Sequence, residues 1–193
     1  LQSGKDVIAQ AQSGTGKTGA FVIGSLERVD PEVKGTQIII ISPTRELSKQ
    51  TTDVVSELSK YMDISYMEVV GGTDVFQCRS DLDKLPQIII GTPGRILDMI
   101  NKKSIFTDKL VSLIFDEADE ILSHGFKETI YNIVKCISEK CQICLFSATM
   151  PDEVIELSNS FMREPESILV KKEALTLEGI TQFYINMKVS DWK

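Results

Sequence analysis

The runs Ile38–Ile41 and Ile88–Ile90 constrain the fold of this chain most strongly, because they are apolar at every position. Successive side chains of a β-strand point to opposite faces of its sheet. A strand with one solvated face would alternate apolar and polar residues, whereas these runs need apolar cover on both faces. They predict strands of a parallel sheet with helices on both faces.

Similar apolar runs recur along the chain, and each ends near small or polar residues and precedes a helix-like stretch. The predicted strands are Asp6 to Ala11, Gln37 to Ser42, Ile64 to Val70, Gln87 to Gly91, Leu110 to Asp116 and Cys141 to Ser147. Helices are predicted to begin near Gly16-Lys17-Thr18, Pro43-Thr44, Thr92-Pro93 and Pro151-Asp152. We therefore expect an α/β fold, with functional residues in the loops that follow the strands.

The composition restricts the classes of function. With 193 residues, 42% of them hydrophobic, the chain is long enough for one ordinary core, and we expect a compact monomeric domain. No apolar run approaches the roughly 20 residues of a membrane span, so no membrane partner is expected. The net charge of −7 argues against indiscriminate polyanion binding, because phosphate affinity comes mostly from clustered Lys and Arg. Contact with nucleic acid should therefore be local.

The four cysteines, Cys78, Cys136, Cys141 and Cys144, are predicted to be reduced thiols, because the chain shows no extracellular signal. Cys141 and Cys144 have a spacing found in zinc and redox sites. They lie in an apolar strand-like run without a second ligand pair, so a structural role is expected.

The segment 11–18, Ala-Gln-Ser-Gly-Thr-Gly-Lys-Thr, follows a predicted strand and opens a predicted helix. This context is typical of a phosphate-binding loop, although Ala11 stands where the usual pattern has Gly. Glycines let the backbone wrap round phosphate oxygens, Lys17 reaches the β and γ phosphates, and the Thr18 hydroxyl ligates Mg²⁺. The alternative is a flexible Gly/Ser turn. The predicted ATP-binding residues are Ser13, Gly14, Thr15, Gly16, Lys17 and Thr18.

The segment Asp116-Glu117-Ala118-Asp119 follows another predicted strand of the same sheet. Asp116 is placed to hold Mg²⁺ through water, and Glu117 is placed to orient and deprotonate an attacking water molecule. The alternative is an acidic helix N-terminus that is stabilised by the helix dipole alone. Because Lys17 and Thr18 precede this segment in a βα pattern, catalysis by Lys17, Asp116 and Glu117 is the favoured interpretation.

Two further loops combine hydroxyl and guanidinium groups at predicted helix starts. Thr44 and Arg45 open one helix, and Thr92 and Arg95 open another. Such groups, with free backbone amides, can hold phosphates without reading bases. The alternative is that both segments are ordinary helix entries whose arginines form internal salt bridges.

Six segments occur in the order found in DEAD-box RNA helicases, and the chain resembles that family over nearly its whole length. They are residues 11–18, 43–47 (Pro-Thr-Arg-Glu-Leu), 71–72 (Gly-Gly), 92–95 (Thr-Pro-Gly-Arg), 116–119 (Asp-Glu-Ala-Asp) and 147–149 (Ser-Ala-Thr). The resemblance implies a RecA-like P-loop NTPase domain that binds ATP with Mg²⁺ and holds single-stranded RNA or an RNA duplex. The residues that it implies for RNA binding are Pro43, Thr44, Arg45, Gly71, Gly72, Thr92, Pro93, Gly94 and Arg95. Ser147 and Thr149 would couple the two sites through Asp119.

Residues 125–127, 147–151 and 171–180 resemble the initiation factor 4A group of that family. This implies a role in translation initiation with scaffold proteins, in the cytoplasm; a nuclear RNA-processing or exon-junction member is the alternative. Residues 1–170 are expected to form the RecA-like domain, and residues 171–193 a connector and strand leading to a second RecA-like domain. An upstream segment that reads adenine is expected to be missing.

By itself, the chain is expected to hydrolyse ATP slowly, since arginines from a second domain would contribute to turnover. Two other classes remain open. One is a DNA-directed or protein-remodelling ATPase with the same core, and the other is a scaffold domain whose shape responds to nucleotide.

Overall fold

The structure is a computed structural model and describes residues 1–169 and residue 183. Strands and helices alternate in the order β1 (Val7–Gln10), α1 (Lys17–Leu26), β2 (Ile38–Ile41), α2 (Arg45–Leu58), β3 (Tyr66–Val69), α3 (Val75–Leu82), β4 (Ile88–Gly91), α4 (Pro93–Asn101), β5 (Ser112–Phe115), α5 (Ala118–Ser123), α6 (Lys127–Val134), β6 (Gln142–Ser147), α7 (Asp152–Phe161) and β7 (Glu166–Ile168). Apart from residue 183, the predicted connector and strand after residue 170 lie outside the described residues.

The strands form one seven-stranded sheet in the order β3-β4-β2-β5-β6-β1-β7, and all of its strand pairs are parallel. Ile41, at the end of β2, pairs with Gly91 on one side and Phe115 on the other. The loops after β2, β4 and β5 therefore leave the sheet at the same level. The predicted α/β fold with a parallel sheet is confirmed.

The isoleucines of β2 show why the run is apolar throughout. Ile38 and Ile40 pack in a cluster with side chains of α1 and α2. Ile39 and Ile41 face the opposite cluster, which contains side chains of α3 to α7. All four are fully buried. Complete burial of an isoleucine side chain contributes about 1.5–3 kcal/mol to the stability of the fold. A polar residue in this run would therefore weaken one of the two cores.

The six predicted strands are confirmed, with ends shifted by at most two residues. Strand β7 was not predicted. It has three exposed residues and, among the residues that the structure describes, pairs only with β1. A strand without a buried face carries no apolar periodicity, which explains why the sequence pattern does not reveal it.

Local capping explains where the helices near the functional loops begin. The Thr44 hydroxyl oxygen accepts a hydrogen bond from Leu47 N–H at 3.2 Å and caps α2. Asp74 caps α3 in the same way by accepting from Gln77 N–H at 2.8 Å. Pro93 occupies the first turn of α4, where its missing N–H costs nothing.

Within the described part of the chain, no helix has the length and apolar character to cross a membrane.

Candidate functional site

The loop between β1 and α1 is built around an uncapped helix N-terminus. Gly14 and Gly16 have φ of 78° and 95°, in the left-handed region that favours glycine. Gly16 is the N-cap of α1, and neither a side-chain hydrogen bond nor an acidic residue covers the first turn. Residues 13–16 are exposed. The backbone N–H groups of this turn are therefore available to an anion.

Lys17 lies where this loop, called the phosphate loop below (residues 11–18), meets the acidic segment (residues 116–119). Its side chain is almost completely buried, and Nζ donates a hydrogen bond to the Ala11 carbonyl oxygen at 3.1 Å. Nζ also forms an ion pair with Glu117 Oε1 at 3.1 Å. Thr18, the next residue of α1, is partly buried. The structure thus brings the predicted phosphate-binding lysine and the predicted catalytic glutamate into direct contact.

Asp116 follows β5 and is only 4% exposed. Burial raises the pKa of its carboxyl to about 7; the nearby negative charge of Glu117 also raises it, while Lys17 lowers it. Glu117 has φ 49° and forms the N-cap of α5. A left-handed conformation at a residue other than glycine costs about 1–2 kcal/mol, and such strain is concentrated at functional sites.

The oxygen groups near Lys17 fit a magnesium ion that is shared with a ligand. The Asp116 carboxyl and the Thr18 hydroxyl supply hard oxygen donors, which Mg²⁺ prefers. Within the described residues, no three His, Cys, Asp or Glu side chains gather as a metal site of their own. Mg²⁺ is usually held by one or two carboxylates together with substrate phosphates, so this small donor set is compatible with it.

The segment 147–149 contacts both the phosphate loop and the acidic segment. The Ser147 carbonyl oxygen accepts a hydrogen bond from Ala11 N–H at 3.1 Å. The Thr149 hydroxyl donates to Asp119 Oδ2. Although burial raises the pKa of the Asp119 carboxyl, neighbouring hydroxyl and backbone N–H groups together lower it more, so that the pKa lies below its usual value. Ser147 Oγ is buried and makes no hydrogen bond of ordinary geometry with the described residues.

The loops after β2, β3 and β4 form an open groove of about 630 Å³. It is lined by Pro43, Thr44, Arg45, Glu46, Gly71, Thr92, Gly94, Arg95, Asp98 and Phe126. Of the residues predicted to bind RNA, Gly72 and Pro93 do not line the groove, and Pro93 is buried. The others are brought together.

The hydroxyl groups of the groove are held by backbone amides. Thr44 Oγ1 accepts from Leu47 N–H, and Thr92 Oγ1 accepts from Gly71 N–H at 3.3 Å. A hydroxyl that accepts in this way keeps its own proton for donation to a ligand. Each threonine can therefore donate to a phosphate in the groove.

Backbone and hydroxyl groups position the two arginines. Arg95 donates to the Thr73 carbonyl oxygen at 2.9 Å and to the Thr73 hydroxyl at 3.1 Å. The Arg45 guanidinium lies against Gly72, where an added Cβ would be 2.6 Å from Arg45 Cζ. Neither arginine forms an ion pair with the residues that the structure describes, which contradicts the alternative of internal salt bridges.

Sequence reasoning missed four residues of these sites, one of which is Asp98, a groove residue on α4. Thr73 anchors Arg95, and its position next to the Gly-Gly pair was the available signal. Phe126 lines the groove from the start of α6, a contact that depends on tertiary structure. Gln10, at the end of β1, donates to the Ala148 carbonyl oxygen at 3.2 Å and links the phosphate loop to the segment 147–149.

A parallel sheet with a glycine-rich loop after its first strand and an Asp-Glu pair after another defines a P-loop domain of the RecA-like type. The sequence model of the DEAD/DEAH box helicase family matches residues 1–157. The chain belongs to this family.

Relatives and solved structures agree with this assignment. The chain is 50% identical to the ATP-dependent RNA helicase eIF4A of Neosartorya fischeri over 190 residues, which are 98% of this chain and 48% of that protein. The eIF4A of Meyerozyma guilliermondii is 48% identical over 196 residues, covering 100% of this chain and 49% of the relative. The chain thus spans about half the length of these relatives.

Two solved structures share the fold. A DEAD box protein from the hyperthermophile Methanococcus jannaschii superimposes with a TM-score of 0.80 and 35% identity, covering 85% of this chain and 45% of that one. Saccharomyces cerevisiae Dbp5 bound to RNA and ADP BeF3 gives a TM-score of 0.83 and 31% identity, covering 92% of this chain and 45% of Dbp5.

Proposed function

We propose that this chain is the ATP-binding half of an ATP-dependent RNA helicase. The main support is one structural relationship: the phosphate loop, the acidic segment and the groove all lie at the edge of the sheet where the strands end. In a protein whose sites share one edge, the affinity for RNA can depend on the bound nucleotide. The likeness to proteins named ATP-dependent RNA helicase eIF4A supports the same function.

In the proposed reaction, residues 13–16 and the first turn of α1 bind the phosphates through backbone N–H groups. Lys17 exchanges the Glu117 carboxylate for the β and γ phosphates. Glu117, released from the ion pair, takes a proton from the attacking water. Mg²⁺, held by Thr18 and Asp116, would neutralise negative charge on the phosphates. Lys17 is thus proposed as the residue that joins nucleotide binding to the positioning of the base.

Coupling to RNA is proposed to run through the segment 147–149. Its backbone contacts Ala11 at the start of the phosphate loop, and Thr149 contacts Asp119 beside the catalytic pair. A movement of Glu117 is therefore proposed to shift Asp119, which lies two residues along the chain. Ser147, whose hydroxyl is buried, is proposed to contribute to this coupling when the segment 147–149 shifts.

The groove is proposed to hold the RNA backbone without selecting its bases. Thr44 and Thr92 offer hydroxyl protons, Arg45 and Arg95 offer charge, and Gly71 and Gly94 let the phosphates approach the backbone closely. Phosphate contacts of this kind position a nucleic acid but carry no sequence information. Pro43 lines the groove and is proposed to contact RNA with these residues, whereas Gly72 and Pro93 are proposed to shape the loops.

Fluorescence anisotropy with a labelled oligouridine in the presence of ATP and Mg²⁺ tests the groove. Arg45→Ala and Arg95→Ala should each weaken binding and reduce the slope of log affinity against log salt by about one. Lys140→Ala, which removes an exposed charge away from the groove, is the matched control. Unchanged affinity in both arginine variants would overturn the proposed RNA site. If oligodeoxythymidine binds as tightly as oligouridine and stimulates ATP hydrolysis equally, the DNA-directed ATPase is favoured.

The names of the relatives support a more specific proposal. We infer a role in translation initiation in the cytoplasm, together with scaffold proteins of initiation and a second RecA-like domain that supplies arginines for turnover. With residues 1–170 as the ATP-binding domain, hydrolysis by this chain alone is proposed to be slow. Restoration of initiation by the full-length protein, in an extract depleted of its own factor 4A, tests this role. Failure to restore it, with RNA-stimulated ATPase intact, would favour the nuclear alternative.

A further inference from the structure

A second cavity, of about 310 Å³, opens at the opposite edge of the sheet, where the strands begin. Its lining includes Lys34, Leu82, Leu85, Ser104, Phe106 and Lys109. These residues come from the loop before β2, the end of α3 and the loop before β5. None of them belongs to the nucleotide or RNA sites, so the cavity needs an explanation of its own.

The walls of the cavity are apolar and reachable from solvent. Phe106 is 54% exposed and Leu85 is 39% exposed, while Leu82 is buried in the core. Single exposed apolar side chains are common on protein surfaces. Two that flank a concave site above the core instead provide a pocket into which another apolar side chain can pack.

Leu85 is held in a conformation that leucine disfavours. Its φ is 57°, and its N–H donates to the Leu82 carbonyl oxygen at 2.9 Å in the turn that ends α3. Glycine is the usual residue in such a turn, because a side chain there is strained. The Thr36 hydroxyl donates to the Pro86 carbonyl oxygen at 3.1 Å and ties the turn to the loop before β2. An apolar side chain is thus kept at the rim of the cavity despite the strain.

The rim also carries two lysines that have no ion-pair partner among the described residues, Lys34 and Lys109. Gly35, with φ 119°, lies beside the stem of Lys109, since an added Cβ would be in ordinary contact with Lys109 Cγ at 3.6 Å. The cavity also has a carboxylate, Asp108. In a chain with a net charge of −7, two such lysines beside an apolar pocket form a local site for an acidic ligand.

We propose that this cavity binds an acidic, amphipathic segment of a partner protein. One leucine or aromatic side chain of the segment packs against Phe106 and Leu85, and carboxylates on either side of it pair with Lys34 and Lys109. The volume is at the lower end of the about 300–1,000 Å³ of small-molecule pockets and suits a single anchoring side chain. The apolar walls disfavour nucleic acid, whose backbone needs continuous positive charge.

Selection from a display library of random peptides tests this site although the partner is unidentified. The parent chain and a Lys34→Glu, Lys109→Glu double variant are used as baits in parallel. We expect the parent to enrich peptides in which Asp or Glu flank Leu, Phe or Trp, and the double variant to lose this enrichment. No enrichment over the double variant, or enrichment of basic peptides, would overturn the proposal.

The enriched peptide then serves as a probe in NMR titrations, where the amide signals of Gly35 and Ser104 should shift. Affinity should fall by about 3- to 30-fold in the double variant, because two exposed charge pairs are lost. Phe106→Ser should also weaken binding, which separates apolar anchoring from charge alone. Lys60→Glu with Lys140→Glu, the same charge change at two exposed lysines elsewhere, should have little effect. Equal losses in the two double variants, or the same shifts with oligouridine, would contradict the assigned occupant.

Discussion

Lys17 and Glu117 lie 100 positions apart in the sequence, yet Lys17 Nζ is 3.1 Å from Glu117 Oε1. The pair joins the loop after β1 to the helix entry after β5. Both side chains are largely buried, so the pair is screened less by solvent than one at the surface. A nucleotide phosphate that binds at this loop must compete with Glu117 for the ammonium group of Lys17.

Replacement of Glu117 by glutamine should therefore separate binding from hydrolysis. The neutral amide competes less for Lys17, and we expect Mg²⁺-ADP to bind about 2- to 10-fold more tightly, because the phosphates no longer have to displace a charged carboxylate. ATP hydrolysis should fall, because the proposed base is gone. Calorimetry and phosphate release measure the two effects, with Glu120→Gln as control. Weaker nucleotide binding by Glu117→Gln would show that Glu117 supports the phosphate site.

Asp116 should make stability depend on pH in a direction opposite to that of most carboxylates. Its pKa is about 7 in the folded chain, against an ordinary value of 3.8. Between these values the unfolded chain releases the proton first, so the free energy of unfolding falls as pH rises from about 4 to 7. Asp116→Asn removes this cost. In chelator, its gain over the parent should be small near pH 4 and reach on the order of 1–4 kcal/mol above pH 7.

Urea unfolding at several pH values measures this gain, and Asp119→Asn provides a contrast. The pKa of Asp119 is lowered, so its contribution to stability is present above the ordinary pKa and is lost as pH falls through the folded pKa. Asp119→Asn should therefore destabilise the chain at neutral pH. A constant difference between Asp116→Asn and the parent at all pH values would refute the assigned pKa.

Gly91, the last residue of β4, is expected to tolerate no side chain. A Cβ at this position would overlap the Val69 carbonyl oxygen on β3 and lie 2.9 Å from the Val69 carbonyl carbon. Because both are backbone atoms, β3 and β4 would have to separate, and Gly91→Ala should cost about 1–3 kcal/mol or more. At Gly94 an added Cβ would have nothing within 4 Å, so Gly94→Ala should change the free energy of unfolding little. Urea unfolding of both variants measures the difference, and similar values would contradict the close approach.

The cysteines should differ in reactivity. Burial raises the pKa of Cys141 and Cys144 to about 12, whereas Cys136 is exposed. Because the thiolate is the reactive form, a short pulse of iodoacetamide at neutral pH should label Cys136 first. Peptide mapping by mass spectrometry identifies the labelled positions, and the urea-unfolded chain provides the reference. Early labelling of Cys144 in the folded chain would be inconsistent with its burial in β6.

The sequence predicts the central strands well because strands buried on both faces consist of consecutive apolar residues, as in Ile38–Ile41. It does not predict β7, whose three residues are exposed. For the candidate site, the loops and their residue types are evident from motifs. The contact between Lys17 and Glu117 and the anchoring of Arg95 by Thr73 depend on how distant loops meet. Spacing alone cannot give such distances.

The central claim is that the loop between β1 and α1 binds nucleotide through Lys17. Calorimetric titration with Mg²⁺-ADP tests it most directly, with Lys17→Ala and, as control, Lys49→Ala, which removes an exposed lysine paired with Asp53. We expect binding by the parent and by Lys49→Ala, and a loss of about tenfold or more in Lys17→Ala, since a hydrogen bond to a charged group contributes about 1.5–3 kcal/mol. Equal affinity of Lys17→Ala and the parent, or no binding by the parent, would contradict the account.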